Sequence, residues 1–220
     1  MWPVPDHLFW DSDIAKWIEG ACYFLADPDE YDKEIDQAAR EPVSMISSAQ
    51  QEDGYLNVRY IVVEPGKRWT NTRDMHGLYY DGHLIEAAIS HKEFYKNDLL
   101  LEPIEKLSLI KTRFGLGDGQ RRGYPGHPKI ELSLFRLYDT TGNTEAFELA
   151  QYFLVERGNP DGHDGKHFYD WEREKRGESP WLRPNSYPNQ ELTGIVKLML
   201  QSQNKIQLKG MRKSLPNAEV

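Results

Sequence analysis

Apolar residues recur at three- and four-residue spacing in six successive segments of this chain, and each segment closes on a turn or a breaker. That period belongs to helices buried by one face. Asp11 and Ser12 stand where caps would sit for a first helix running to about Ala26. Ile14, Trp17, Ile18, Ala21 and Leu25 then share a face. Asp27-Pro28 breaks the pattern, and Pro28 suits the first turn of a restart. A second helix runs to about Gln50 on Tyr31, Ile35, Ala38, Val43 and Ile46, and Pro42 inside it predicts a kink or split. A third is expected from near Asp74 to Tyr95. A fourth runs from Leu99 to Arg113, with Leu100, Ile104, Leu107 and Ile110 on one face. The fifth opens at Pro128 and runs to about Asp139. The sixth spans Thr144 to Arg157 with Phe147, Ala150, Phe153 and Leu154 as its stripe.

Six helices in sequence make three pairs. Ile18-Glu19-Gly20-Ala21, Ile85-Glu86-Ala87-Ala88 and Ile130-Glu131-Leu132-Ser133 share an Ile-Glu-x-small pattern, each on the first helix of its pair. This hints at an internal repeat. It fits stacked α-hairpins, or an α/α toroid whose odd helices line the inside.

The segments between are less regular. Tyr55 to Val63 is rich in Tyr, Ile and Val and reads as a short strand or an extended loop. Gly115 to Gly126 is a Gly-rich loop. It follows a helix and lacks both the G-x-G-x-x-G spacing and a Walker lysine, so it is not a nucleotide loop. Gly158 to Pro188 is polar, aromatic and aperiodic, longer than compact domains usually leave unstructured. His163 and His167 are spaced for a metal on a helix, but Gly162 and Gly165 point instead to a solvated loop. A weak last helix is expected from Glu191 to Ser202, with disorder from Asn204.

Composition narrows the classes. Thirty-five acidic against 27 basic side chains give a net charge of −8, with no basic stripe for a nucleic acid beyond the short tail from Lys205 to Lys213. No apolar run is long enough to span a bilayer, and the first residues lack the signal-peptide pattern, which leans the expectation toward the cytoplasm. The one cysteine, Cys22, allows no intrachain disulfide and no multi-cysteine zinc site. It reads as a small packing residue of the first helix.

His76 and His127 each fall at the start of an odd helix, after a turn-rich loop. Neutral imidazoles there can hydrogen-bond sugar hydroxyls, and simple capping or exposure would also explain them. Trp69, Tyr79, Tyr80 and Tyr124 flank the same loops, as a sugar-stacking wall or as core. Asp53, Glu64, Asp74, Asp81, Glu86 and Glu131 are the candidate paired carboxylates, most of them expected as caps, solvated charges or partners of Arg68, Arg73 and Arg136.

Longer motifs carry a resemblance. They include Phe9 to Glu19, Gln50 to Asn57, Glu64 to Asn71, and Asp74-Met75-His76-Gly77-Leu78-Tyr79 followed by Gly82 to Ala88. Arg122-Gly123-Tyr124-Pro125-Gly126-His127-Pro128 to Leu132, and Tyr152 to Gly158, complete the set. Over about residues 9–187 the chain resembles the β-L-arabinofuranosidases of glycoside hydrolase family 127, once called DUF1680. The resemblance implies an all-α fold, about half of an (α/α)6 toroid of the six-hairpin glycosidase type. It implies three hairpins in a partial catalytic domain over 1–187, with a divergent, weakly structured tail over 188–220. It also implies release of terminal L-arabinofuranose with retention. By resemblance His76 and His127 contact the arabinose ring, and Trp69, Asp74, Tyr79 and Tyr124 line the same pocket.

The departures matter as much. The family's nucleophile is a cysteine held on zinc by further cysteines and a glutamate, with a separate glutamate as acid/base. The chain looks like a truncated or misassembled member without these groups, so the resemblance implies no catalytic residue and no zinc here. Gly77 stands in place of the usual glutamate of the His-Glu-Leu-Tyr motif, and Tyr80 in place of the cysteine that follows. A carbohydrate-binding pseudoenzyme or a non-functional fragment is the alternative.

Overall fold

A computed structural model describes residues 9–105 and 108–179. The tail, its expected helix and the basic run from Lys205 lie outside the described residues. Among those described, eight α-helices account for the regular structure. They are α1 (Trp10–Leu25), α2 (Lys33–Ala49), α3 (Gly77–Tyr95), α4 (Leu101–Glu105), α5 (Ser108–Arg113), α6 (Lys129–Thr141), α7 (Thr144–Glu156) and α8 (Phe168–Lys175). A single turn of 3-10 helix, Pro28–Glu30, joins α1 to α2 with Asp27 as its cap.

The three helix pairs are present. α3 packs between α1 and α6, while α2 lies on α1, α4 on α3, and α7 on α6. The Ile-Glu-x-small helices are thus neighbours. Ile18, Ile85 and Ile130 are fully buried. Glu86 on α3 accepts from Lys129 and Ser133 at 3.2 and 3.1 Å and from Arg136, all on α6. Glu131 on α6 accepts from Arg157, just after α7, at 2.6 Å. The second and third glutamates of the pattern thus each tie their helix to a later element. Such pairs fix register more surely than they add stability, because burial costs each ion several kcal/mol, on the order of its Coulomb gain.

Gly82 decides how close α3 and α6 come. A Cβ there would stand 2.9 Å from both the backbone nitrogen and the Cα of Ile130. Neither can move without moving α6.

Several expectations need correction. α1 starts before Asp11 and Ser12, so neither caps it. Phe9 is the N-cap, Ser12 Oγ donates to its carbonyl at 2.8 Å, and the Asp11 carboxylate accepts from the Val58 N–H at 2.9 Å. The buried face of α1 is Ala15, Ile18, Ala21, Cys22 and Leu25, while Ile14 and Trp17 stay 46% and 44% exposed. α3 covers a stripe rotated from the expected one.

α2 runs through Pro42 unbroken, and the carbonyl that loses its partner belongs to Ala38, on an exposed face. Its cap is Asp32, accepting from Glu34 and Ile35 N–H at 2.7 and 3.1 Å. Of its expected face only Val43 is buried, beside Ala39, while Tyr31 and Ala38 are exposed. The Tyr55–Val63 strand is absent. Arg59–Val63 forms a π-helical turn closed by Glu64 N–H on the Arg59 carbonyl at 2.9 Å. The expected fourth helix is two shorter ones, α4 and α5.

The Gly158–Pro188 stretch contains α8, which no period announced. His163 is not solvated: it is 1% exposed, with Nδ1 and Nε2 3.2 and 3.1 Å from the carbonyls of Asn159 and Arg122. His167 caps α8 through the Tyr169 N–H. Neither belongs to a metal cluster, since no three His, Cys, Asp or Glu among the described residues could hold an ion.

Candidate functional site

Two loops meet ahead of α3 and α6. Gly126 N–H donates to the Thr72 carbonyl at 3.2 Å, and a Cβ on Gly126 would stand 2.4 Å from the Arg73 carbonyl oxygen. Only glycine permits that approach. Thr72 is fixed from below by Glu172 of α8, whose carboxylate accepts the Thr72 N–H at 3.0 Å and its hydroxyl at 3.1 Å. The aperiodic segment therefore positions this loop.

The crossing brings His76 and His127 onto one cluster around Tyr79. The Tyr79 ring lies 5.7 Å from His76, 4.8 Å from His127 and 4.6 Å from His83. Phe9 covers His76 at 4.9 Å, and the Lys16 ammonium sits 5.1 Å from the Tyr79 ring centre. His76 is the N-cap of α3, with φ 50° and ψ 23°. A left-handed backbone at a non-glycine residue costs about 1–3 kcal/mol and persists only where the surroundings impose it.

Burial depresses all three imidazoles. His83 is pushed down to about 4, by desolvation first and then by Lys129, Lys16 and His127. His76 is lowered by desolvation against the opposing charge of Asp74. His127 is lowered by desolvation and by His76, Arg157, Lys129 and Lys16. At neutral pH each ring is uncharged, with one donor and one acceptor nitrogen. The Nδ1 atoms of His76 and His83 are buried with no hydrogen-bond partner. The cluster thus offers paired donors and acceptors beside aromatic faces, which suits a hydroxylated ring with apolar C–H faces.

The remaining predicted site residues fall elsewhere. Asp74 lies among Arg73, Arg173 and Arg176 at 3.8–4.0 Å, close enough to His76 to act on its charge. Trp69, at φ 56°, packs edge-on against Tyr55 and Phe114 at 5.1 and 6.2 Å. Tyr124 is 1% exposed, within the rings of Phe168 and Tyr169 and under Arg157. The structure brings together His76, Tyr79 and His127, and leaves these three outside their ring contacts.

His83 joins the cluster without having been singled out. It sits seven residues after His76 and four after Tyr79 on the same helix, so helical spacing alone could have found it.

The other chemistry-bearing groups are structural. Asp53 pairs with Arg68 at 2.5 Å, and Glu64 with Arg59 and Lys67 at 3.0 Å. Asp81 is buried and its carboxyl is raised well above the usual range by burial, then by Asp11. The Cys22 thiol is buried and pushed up to about 11 by desolvation, then by Asp36 and Glu19, so it is inert at neutral pH. In the Gly-rich loop, Gln120 fills the interior. Its Oε1 accepts from Gly117 N–H at 2.8 Å and its Nε2 donates to the Lys111 carbonyl at 2.6 Å.

Comparison with known proteins places the chain among glycoside hydrolases. The Beta-L-arabinofuranosidase, GH127 catalytic domain matches residues 1–204. The chain is 36% identical over 157 residues to a non-reducing end β-L-arabinofuranosidase of Bifidobacterium longum subsp. longum, covering 69% of this chain and 23% of that one. It is similar to the crystal structure of a GH127 β-L-arabinofuranosidase from Geobacillus stearothermophilus T6. The TM-score is 0.75 at 41% identity, over 86% of this chain and 28% of that one. A second GH127 β-arabinofuranosidase structure matches with a TM-score of 0.66 at 30% identity, over 74% and 27%. The chain belongs to the GH127 β-L-arabinofuranosidase catalytic-domain family, and it spans about a quarter of the length of these relatives.

Proposed function

We propose that this chain is the ring-binding part of a β-L-arabinofuranosidase-type catalytic domain, holding a terminal L-arabinofuranoside against His76, Tyr79 and His127. The hairpin order supports a partial (α/α)6 toroid, with α1, α3 and α6 as inner helices and the cluster at one mouth. The observation that carries the reading is the convergence of two imidazoles, both lowered by burial, on the Tyr79 ring.

The chain's own residues do not fit a zinc–thiolate centre. Its sole cysteine is Cys22, buried in α1 with a raised thiol, and one sulfur cannot build a several-cysteine site. The reading is therefore recognition without a nucleophile, zinc or acid/base from this chain. Release of L-arabinofuranose with retention belongs to the family's whole domain, not to these residues.

Calorimetric titration of the purified chain with L-arabinose tests binding, and an aryl β-L-arabinofuranoside tests turnover. Saturable binding without turnover is expected. Turnover abolished by a chelator would overturn the claim that the zinc chemistry is lacking. Absence of binding in a folded chain would overturn the recognition role.

A further inference from the structure

A second concave site stands apart from the histidine cluster. The C-terminal end of α5, the Gly-rich loop and α8 enclose a cleft of about 380 Å³ that shares no residue with that cluster. Its charged wall is Arg113, Arg121, Lys175 and Arg176, with Glu172 as the acid and Trp171 as the aromatic face. Among the residues that line it, four are cations and one is a carboxylate.

The single acid does not neutralise them. Glu172 is 1% exposed and is shared between Arg121 at 2.5 Å and Arg176 at 3.4 Å, while it also accepts from Thr72. Arg176 has further partners in Glu178 and Asp74. Among the described residues Lys175 pairs with Asp164, at 4.0 Å. Arg113 has no ion-pair partner among the described residues. The Arg121 Nε is buried with no hydrogen-bond partner. Arg113 and Arg176 both add to the repulsion felt by the buried Arg121 guanidinium. Arginine cannot shed its proton to relieve this, so each guanidinium keeps its charge at any ordinary pH.

Trp171 gives the cleft a second character. Lys175 lies 5.2 Å and Arg121 6.0 Å from its ring centre, and its indole N–H donates to Asp164 at 3.1 Å. A fixed aromatic face flanked by guanidinium and ammonium groups matches a ring that carries an oxyanion.

We infer that this cleft is an oxyanion-binding site, shaped for the carboxylate of an acidic sugar, with Arg113 and Lys175 as its exposed contacts and Arg121 as its buried one. The inference stands on different residues from the arabinose reading and does not depend on it. A phosphate group offers the same chemistry from another source.

The test is calorimetric titration of the full chain with glucuronate, with inorganic phosphate, and with L-arabinose as a neutral control. Saturable binding of glucuronate or phosphate is expected, and the tighter of the two names the source. Arg113→Ala and Lys175→Ala alter exposed positions outside the Glu172 network, and each should weaken binding about tenfold, the loss of one charge-assisted contact. His76→Ala should leave it unchanged, which separates this site from the other. Binding of neither anion by the folded chain would overturn the proposal. So would anion binding that survives in the Arg113→Ala/Lys175→Ala double variant.

Discussion

The histidine cluster and the arginine cleft are both built by burying basic groups, yet one ends neutral and the other keeps its charged side chains. In the cluster, desolvation acts on imidazoles, which answer by losing a proton. His83 falls to about 4, and His76 and His127 are lowered with it. In the cleft, desolvation acts on the Arg121 guanidinium, which has no accessible neutral form, and one glutamate serves two arginines. The choice of cation decides what a buried site can recognise. Histidine gives neutral donors and acceptors for hydroxyls, and arginine gives a permanent field for an anion.

That contrast yields ordered predictions. The largest effect falls on the frame both sites share. Gly126→Ala would drive a methyl into the Arg73 carbonyl, and Gly82→Ala into the Ile130 backbone. Each should destabilise the fold by about 1–3 kcal/mol or prevent it, read as a lower denaturant midpoint. Gly77→Ala is the control, since nothing lies within 4 Å of its Cβ position and its backbone φ is not in the left-handed region. It should stabilise by about 0.4–1 kcal/mol through loss of unfolded-state freedom.

Acid separates the two sites next. A histidine whose folded pKa is depressed contributes stability that is complete above the unfolded value of 6.5 and lost as pH falls toward the folded value, about 4 for His83. Melting temperature should therefore fall between about pH 6.5 and 4, and arabinose binding by the folded chain should fall only once pH passes below the lowered values of the imidazoles themselves. Glucuronate binding at the arginine cleft should hold across most of that interval. Equal loss at both sites would show that the cleft depends on the cluster.

Salt should separate them in the other direction. Raising ionic strength from about 0.1 M to 1 M shortens the Debye length from about 10 to 3 Å. Anion binding should weaken severalfold, and arabinose binding should not. The smallest effect is expected at Cys22, where a raised thiol pKa and full burial should make alkylation slow in the native chain and fast once it is unfolded.

Much of this frame was legible in the chain itself. Periodicity located the elements, as at α2, α3, α6 and α7. It named no buried face where burial comes from several directions. α3 is enclosed by α1, α4 and α6, so its buried residues, Leu78 and Tyr80 through His91 excepting His83, run around the helix rather than along a stripe. Ile14 and Trp17 misled because a hydrophobic residue on the correct period can still face outward.

The candidate site was legible only as residue types. His76 and His127 were visible as imidazoles ahead of helices, but their meeting depends on Gly126 crossing Arg73, a contact 53 positions apart in the chain. The candidate carboxylates were expected mostly as caps, solvated charges or arginine partners, without assignment; Asp53, Asp74 and Glu86 are the ones found against Arg68, Arg73 and Arg136. His163 was read as solvated because its neighbours are glycines. The carbonyl of Arg122, 41 positions away, is what buries it. Long-range backbone contacts of that kind leave no local pattern.

The most direct test of the central claim is calorimetric titration of L-arabinose into the chain and into its His76→Ala and His127→Ala variants, with folding checked by circular dichroism. Saturable binding by the parent chain, weakened about tenfold or more in each folded variant, is the expected result. Binding that both folded variants retain in full would contradict the assignment of the Tyr79-centred cluster as the sugar site.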